Sequence, residues 1–321
     1  IYNINLLIIN VISFMDRFWI IWPQKIADKH RWLFQWTSLL DVETKTTFRK
    51  KIEVLLDLSK SQLLIAPNRK HTTWPRNKEE LDKLIKTSLY LIEEAVKDIF
   101  AELSIPFIPA TIVLFSWKTK TWCGDAFSGI WPFYCPADKN IYLDPQFFID
   151  ILEHYPDAED FIVFYVLAHE YAHYLQNIIN DTTKAVLIWT WERIQASNIL
   201  ELQEILRYSL PKRYHNKISQ TIELFADYTA GIITRYANLR HPFLEENDII
   251  EGLETALYIG DDMLQYRRRE RIKPHTFTHW VGEQRAAAFA EWLRYWNLNV
   301  LNIKNFLDII TRQIQTPRQE V

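Results

Sequence analysis

Residues 166–176 read VLAHEYAHYLQ. His169 and His173 stand four apart, and Glu170 directly follows the first. An α-helix turns every 3.6 residues, so positions i and i+4 stack on one face. Two imidazoles at that spacing can hold one metal ion from adjacent turns. Glu170 is aimed beside such an ion rather than at it, where a base should stand to take a proton from a metal-bound water. Zinc suits the pattern. It favours imidazole, takes four ligands, and an open fourth place lowers the pKa of a bound water to about 7. The bland alternative is a pair of buried, hydrogen-bonded histidines. The flanks count against it. Apart from His169, Glu170 and His173, every residue from Val166 to Leu175 is uncharged, and a strongly apolar turn precedes them. Burying two imidazoles and a carboxylate without partners is costly, and a metal removes much of that cost.

A third ligand must come from elsewhere. Position 176 is Gln176 and position 179 is Ile179, so no third histidine follows in the next turns. The segment TIELFADYTAG (221–231) places Glu223 and Asp227 four apart on an otherwise apolar helix. Glu223 as zinc ligand, with Asp227 as hydrogen-bond partner to a ligand histidine, gives that pair a reason to be there. The competing reading is a surface pair of acids matched to basic neighbours.

These residues need helices to carry them. NKEELDKLIKTSLYLIEEAVKDIFAEL repeats apolar residues at helical spacing from Leu81 to Leu103, with Asn77 as cap. TIVLFSW (111–117) and NIYLD (140–144) read as short strands. Asp144 before Pro145 opens a helix, and Asp157 caps the one that runs through FIVFYVLAHEYAHYLQNII. Further helices are expected near 184–208, 215–238, 247–266, 280–296 and 301–314. The expected fold class is α+β: predominantly helical, with a small sheet.

Composition sets limits. With 37 basic and 40 acidic residues, the net charge of −3 gives no long-range field for nucleic acid. Only 6 glycines among 321 residues argue against a glycine-rich phosphate-binding fold. The prolines and polar run of APNRKHTTWPRN divide an N-terminal extension, 1–75, from a domain over 76–321. Residues 1–14, IYNINLLIINVISF, are apolar but interrupted by Asn3, Asn5 and Asn10. They read either as mistranslated sequence ahead of Met15 or as the remnant of a membrane anchor, which leaves a weak membrane association open. Cys123 and Cys135 do not have zinc-ribbon spacing. They are a disulfide candidate, which would place the protein in an oxidising compartment, or else two free thiols in the cytosol. The basic run RRRERIK (267–273) is a solvated loop or a subsite for an acidic group. Asp261 and Asp262 of IGDD read as structural.

The chain resembles the putative neutral zinc metallopeptidase family of bacteria, a zincin-type group. The resemblance covers about residues 84–296. It rests on five ordered blocks: CGDAF with PFYCPADKNIYLD, VLAHEYAHYLQ, ELFADYTAG, YIGDDMLQ and FTHWVGEQR. It implies a zincin-like peptidase domain with one Zn2+ per chain, His169, His173 and Glu223 as ligands, and Glu170 as base. The expected function is hydrolysis of a peptide or protein substrate by a Glu-assisted zinc-bound water. Zincins with a glutamate third ligand commonly add an oxyanion donor from later in the chain, and His279, within the FTH text, is the candidate. HEYAHY departs from the family's HEVGHH-like text by losing a small residue beside the site. A non-peptidase zinc hydrolase and an inactive zinc-bearing binding protein are the rival readings. An extracytoplasmic or membrane-associated location is favoured over a cytoplasmic one.

Overall fold

The structure, a computed structural model, describes residues 78–128, 131–154, 160–179, 183–186, 193–245, 248–258, 260, 282–291 and 298. All of them fall within one compact unit, Leu56–Val321. The N-terminal segment, the linker with Asn77, Asp157 and the helix expected at 301–314 lie outside the described residues. Helices predominate and the sheet is small, which is an α+β arrangement.

Helix α1 (Lys78–Glu102) buries Leu81, Ile85, Ile92, Val96 and Ile99 along one stripe, as the sequence period requires. Strand β1 is Thr111–Leu114, shorter than the TIVLFSW run. The run stops because Trp117 takes φ 72°, turning the chain into a hairpin of β2 (Lys118–Thr121) and β3 (Gly124–Phe127). Gly124 closes that hairpin at φ 125°, a conformation that only glycine adopts readily. β4 (Phe133–Cys135) and β5 (Asn140–Leu143) complete a three-stranded sheet of order β1–β5–β4. β1 runs parallel to β5 and β4 runs antiparallel to it. Asp144 then caps α2 (Gln146–His154), its Oδ1 accepting from Gln146 N at 3.0 Å.

Helix α3 (Phe161–Ile178) is the most thoroughly buried element among the described residues. Every residue from Phe161 to Gln176 is buried except His173, which is half-buried. Its first amide, Phe161 N, donates to Glu251 Oε2 from a distant helix. On its sheet side, Tyr174 Oη donates to Ile108 O at 2.7 Å and Tyr171 Oη accepts from Ala110 N at 3.2 Å. These two tyrosines moor the segment entering β1.

The helix expected over 184–208 is a correction. β6 (Thr183–Val186) and β7 (Arg193–Ala196) form an antiparallel pair, and α4 begins only at Ile199 and ends at Ser209. The stretch TKAVLIWTWERIQA is rich in β-branched and aromatic residues, which favour a pleated strand over a helix. Asn198 supplies the true helix start, its side chain accepting from Glu201 N at 2.8 Å.

Helix α5 (His215–Arg240) crosses α3 and is buried without a break from Phe225 to Asn238. Its first half packs on α4 through Ile218, Ile222, Phe225, Leu202 and Leu206. Its last turn is tied to α1 by Arg240, which pairs with Glu94 and Asp98. α6 (Asp248–Tyr258) and α7 (Gly282–Glu291) pack on each other, and α7 also lies on α5. Gly282 permits that packing, since a Cβ there would stand 2.2 Å from the backbone oxygen of Leu257.

Cys123 and Cys135 form a disulfide, tying the hairpin turn to the end of β4. Its Cys135 end sits in a small core with Phe115, Ala126 and Tyr142, whereas Cys123 is exposed. Replacing both cysteines by serine is expected to lower stability by about 3 kcal/mol, the loop-entropy value for a closure of this length. Equilibrium denaturation of the double variant against the oxidised protein measures it, and coincident curves would show that the bridge constrains nothing.

Candidate metal and catalytic site

The two histidines of α3 and the acids of α5 meet because both helices bury the faces that carry them. His169 Nε2 lies 3.2 Å from His173 Nε2 and 3.2 Å from Glu223 Oε2. His173 Nε2 lies 3.5 Å from Glu223 Oε1. Three donor atoms therefore face one another across a small space. A tetrahedral zinc ion with bonds of about 2.0–2.1 Å would hold its donors about 3.3 Å apart, so the set fits such an ion in chemistry and in spacing.

The outer ring nitrogens explain why the inner ones face inward. His173 Nδ1 is 2.9 Å from Gln176 Oε1, an oxygen that can only accept, so Nδ1 carries the proton and Nε2 is left with its lone pair. Gln176 is itself fixed, its amide donating to Ile222 O at 3.1 Å. His169 Nδ1 is 2.8 Å from Asp227 Oδ1, which orients that ring in the same way. Asp227 is 0% exposed, so it is not half of a surface acid pair. Tyr165 Oη donates to its Oδ1 at 2.7 Å. Arg285 of α7, itself 3% exposed, donates from Nε to Oδ2 at 2.8 Å and from Nη2 to Oδ1 at 3.0 Å.

Burial opposes the charge on Asp227, but Arg285 and His169 together hold its carboxyl below the ordinary value. Burial likewise pulls His169 down, and Asp227 and Glu223 outweigh it, leaving the ring of the metal-free chain raised to about 9. Glu170 is 8% exposed and is pushed up, chiefly by burial, against the pull of His169 and His173. Its Oε2 accepts from Tyr134 N of β4 at 2.8 Å. The strand that the disulfide anchors is thus the strand that holds Glu170. Asn177 grips the same strand, donating to Tyr134 Oη at 2.7 Å.

His169, Glu170, His173, Glu223 and Asp227 are all brought together. His279, the basic run 267–273, and Asp261 and Asp262 lie outside the described residues. Sequence reasoning passed over Gln176, Tyr165, Tyr134 and Arg285. Gln176 could have been found as a polar residue one turn beyond His173 on an apolar helix. The other three are joined to the site only by tertiary contact.

Two histidines of one helix facing a glutamate of another, on a helical α+β scaffold, make a candidate metal-binding site. The chain belongs to the family described as "putative neutral zinc metallopeptidase", which matches it over residues 51–302. It is 30% identical over 213 residues to "Uncharacterized protein YpfJ" of Escherichia coli (strain K12), covering 66% of this chain and 68% of that protein. It is 32% identical over 190 residues to "Uncharacterized protein Rv2575" of Mycobacterium tuberculosis, covering 55% of this chain and 56% of that protein. No solved structure matches the chain.

Gln176→Leu is expected to lower stability by about 1–3 kcal/mol, the cost of stranding buried hydrogen-bonding groups. Here those groups are Ile222 O and His173 Nδ1–H. Urea denaturation of the variant tests it, and an unchanged midpoint would remove Gln176 from the site's support.

Proposed function

We propose that the protein is a zinc-dependent peptidase in which His169, His173 and Glu223 hold one zinc ion and Glu170 moves the proton. The observation that carries this reading is the convergence of two imidazole nitrogens and a carboxylate at 3.2–3.5 Å. The family description supplies the substrate class, a peptide or protein. When bound, zinc supplies a Lewis acid that polarises a carbonyl and makes water nucleophilic near neutral pH.

The chain's own residues do the rest. Glu170 takes the proton of the attacking water and returns it to the leaving amine. Its burial raises its proton affinity toward the range that both transfers need. Tyr134 N–H fixes one carboxylate oxygen, which leaves the other to face the reaction. His279 is proposed, from the sequence, as the donor to the developing oxyanion. The cystine favours an oxidising, extracytoplasmic compartment. Among the described residues, no helix is long and apolar enough to cross a membrane.

Metal analysis of purified protein should find one zinc per chain. His169→Ala or Glu223→Gln should strip it. Glu170→Gln should keep zinc while peptide turnover falls about 10²–10⁴-fold, the usual contribution of a general base. Full zinc in both ligand variants would overturn the ligand set. Zinc-loaded wild type that cleaves nothing in a peptide library, with or without chelator as control, would make the protein a zinc-bearing binder instead. His279→Ala should leave zinc and fold intact and lower kcat by about 10²–10³ with little change in KM. A normal kcat would end its role.

A further inference from the structure

Arg285 stands apart from the other residues around the site. It lies on α7, a helix that supplies no candidate ligand, and it follows Asp227 by 58 positions. Its side chain is 4% exposed, and it faces a carboxylate that is not exposed at all. A buried ion pair of this kind is often no better for stability than an apolar pair of the same volume. Its geometry says what else it does. The guanidinium grips Asp227 from the side, with Nε on Oδ2 at 2.8 Å and Nη2 on Oδ1 at 3.0 Å. Two parallel bonds fix the plane of a carboxylate, which one point charge cannot do. Oδ1 is the same oxygen that meets His169 Nδ1 at 2.8 Å and Tyr165 Oη at 2.7 Å. Nη2 also lies 3.3 Å from both ring nitrogens of His169 and 3.9 Å from Glu223 Oε2.

We propose that Arg285 is a positioning residue for the site: it locks the carboxylate of Asp227, and through Asp227 it sets the ring of His169. Without the fork, the carboxylate can turn about its last torsion, and His169 loses a fixed acceptor. Delivery of Arg285 depends on the close seating of α7 on α6 at Gly282. Metal affinity is then governed in part by a helix remote in sequence from every ligand.

The test compares Arg285→Met, Arg285→Lys, Asp227→Asn and the double variant Asp227→Asn/Arg285→Met. Zinc affinity is read by chelator competition. In the metal-free protein, the hydrogen-bonded Nδ1 proton of His169 is read by NMR and assigned by its loss in His169→Ala. The affinity arm rests on the zinc reading of the site, whereas the proton arm does not. Arg285→Met should weaken zinc binding about 10–100-fold, the usual cost of removing an outer partner of a metal ligand. It should also abolish or shift the Nδ1 proton signal. Arg285→Lys should restore part of the affinity and not all of it, because the charge returns without the fork. The double variant should bind zinc within about twofold of Asp227→Asn alone, since one residue acts through the other. Affinity of Arg285→Met within about twofold of wild type, with an unchanged proton signal, would overturn the proposal. So would a double variant whose loss equals the product of the two single losses. If Arg285→Met fails to fold, Arg285→Lys and the double variant, which leaves no buried charge unpaired, carry the same comparison. If wild type takes up no zinc, the functional reading fails, and the proton signal still decides Arg285: a signal in Arg285→Met unchanged from wild type refutes the role.

Discussion

The buried carboxylate of Asp227 is the constraint on which the site turns. A lone ionised carboxylate in a protein interior is so unfavourable that it must find opposite charge and donors or give up its charge. Asp227 finds them on two other helices: Tyr165 and His169 on α3, and Arg285 on α7. Apolar packing alone would let α3, α5 and α7 slide or rotate against one another at modest cost. A carboxylate that must meet three particular donors tolerates far fewer arrangements. The same requirement that satisfies Asp227 therefore fixes the relative placement of His169 and Glu223.

On the other side of α3, the polar demand is met by the sheet. Glu170 takes its hydrogen bond from the backbone of β4. β4 is a short edge strand of three residues, and little in its own pairing would hold it firmly. The disulfide at Cys135 and the Asn177 side chain make up for that. The two candidate histidine ligands and the proposed base thus sit on one helix, α3, but draw their hydrogen bonds from different neighbours. That division suits a site in which one group must stay fixed while its neighbour exchanges a proton.

Family membership and the donor geometry point the same way from independent starting points. The family match spans residues 51–302 as a statement about sequence. The spacing of three donor atoms is a statement about where side chains lie. The family description goes no further than a substrate class, and the proposed peptidase activity rests on the two together.

The sequence by itself picked out the candidate site residues and most of the local elements that carry them. His169, Glu170 and His173 are legible because the i, i+4 rule needs nothing beyond one helix, and Glu223 with Asp227 because two acids on an apolar helical face demand a cause. Cys123 and Cys135 could be named as a disulfide candidate beside the free-thiol alternative, and the fold decided between the two by bringing them within bonding distance. Strands β6 and β7 fall where a helix is expected because period alone separates poorly a β-branched run from a helical one, and strand pairing settled the matter. Gln176 was visible in the sequence but had no role until His173 and Ile222 came to lie on either side of its amide. Arg285 could not be read at all. Nothing in GEQRAAAF distinguishes an arginine that faces water from one that faces a buried carboxylate. Only the docking of α7, permitted by a missing Cβ at Gly282, put its guanidinium against Asp227, because desolvation and ion pairing act between neighbours in space and not along the chain.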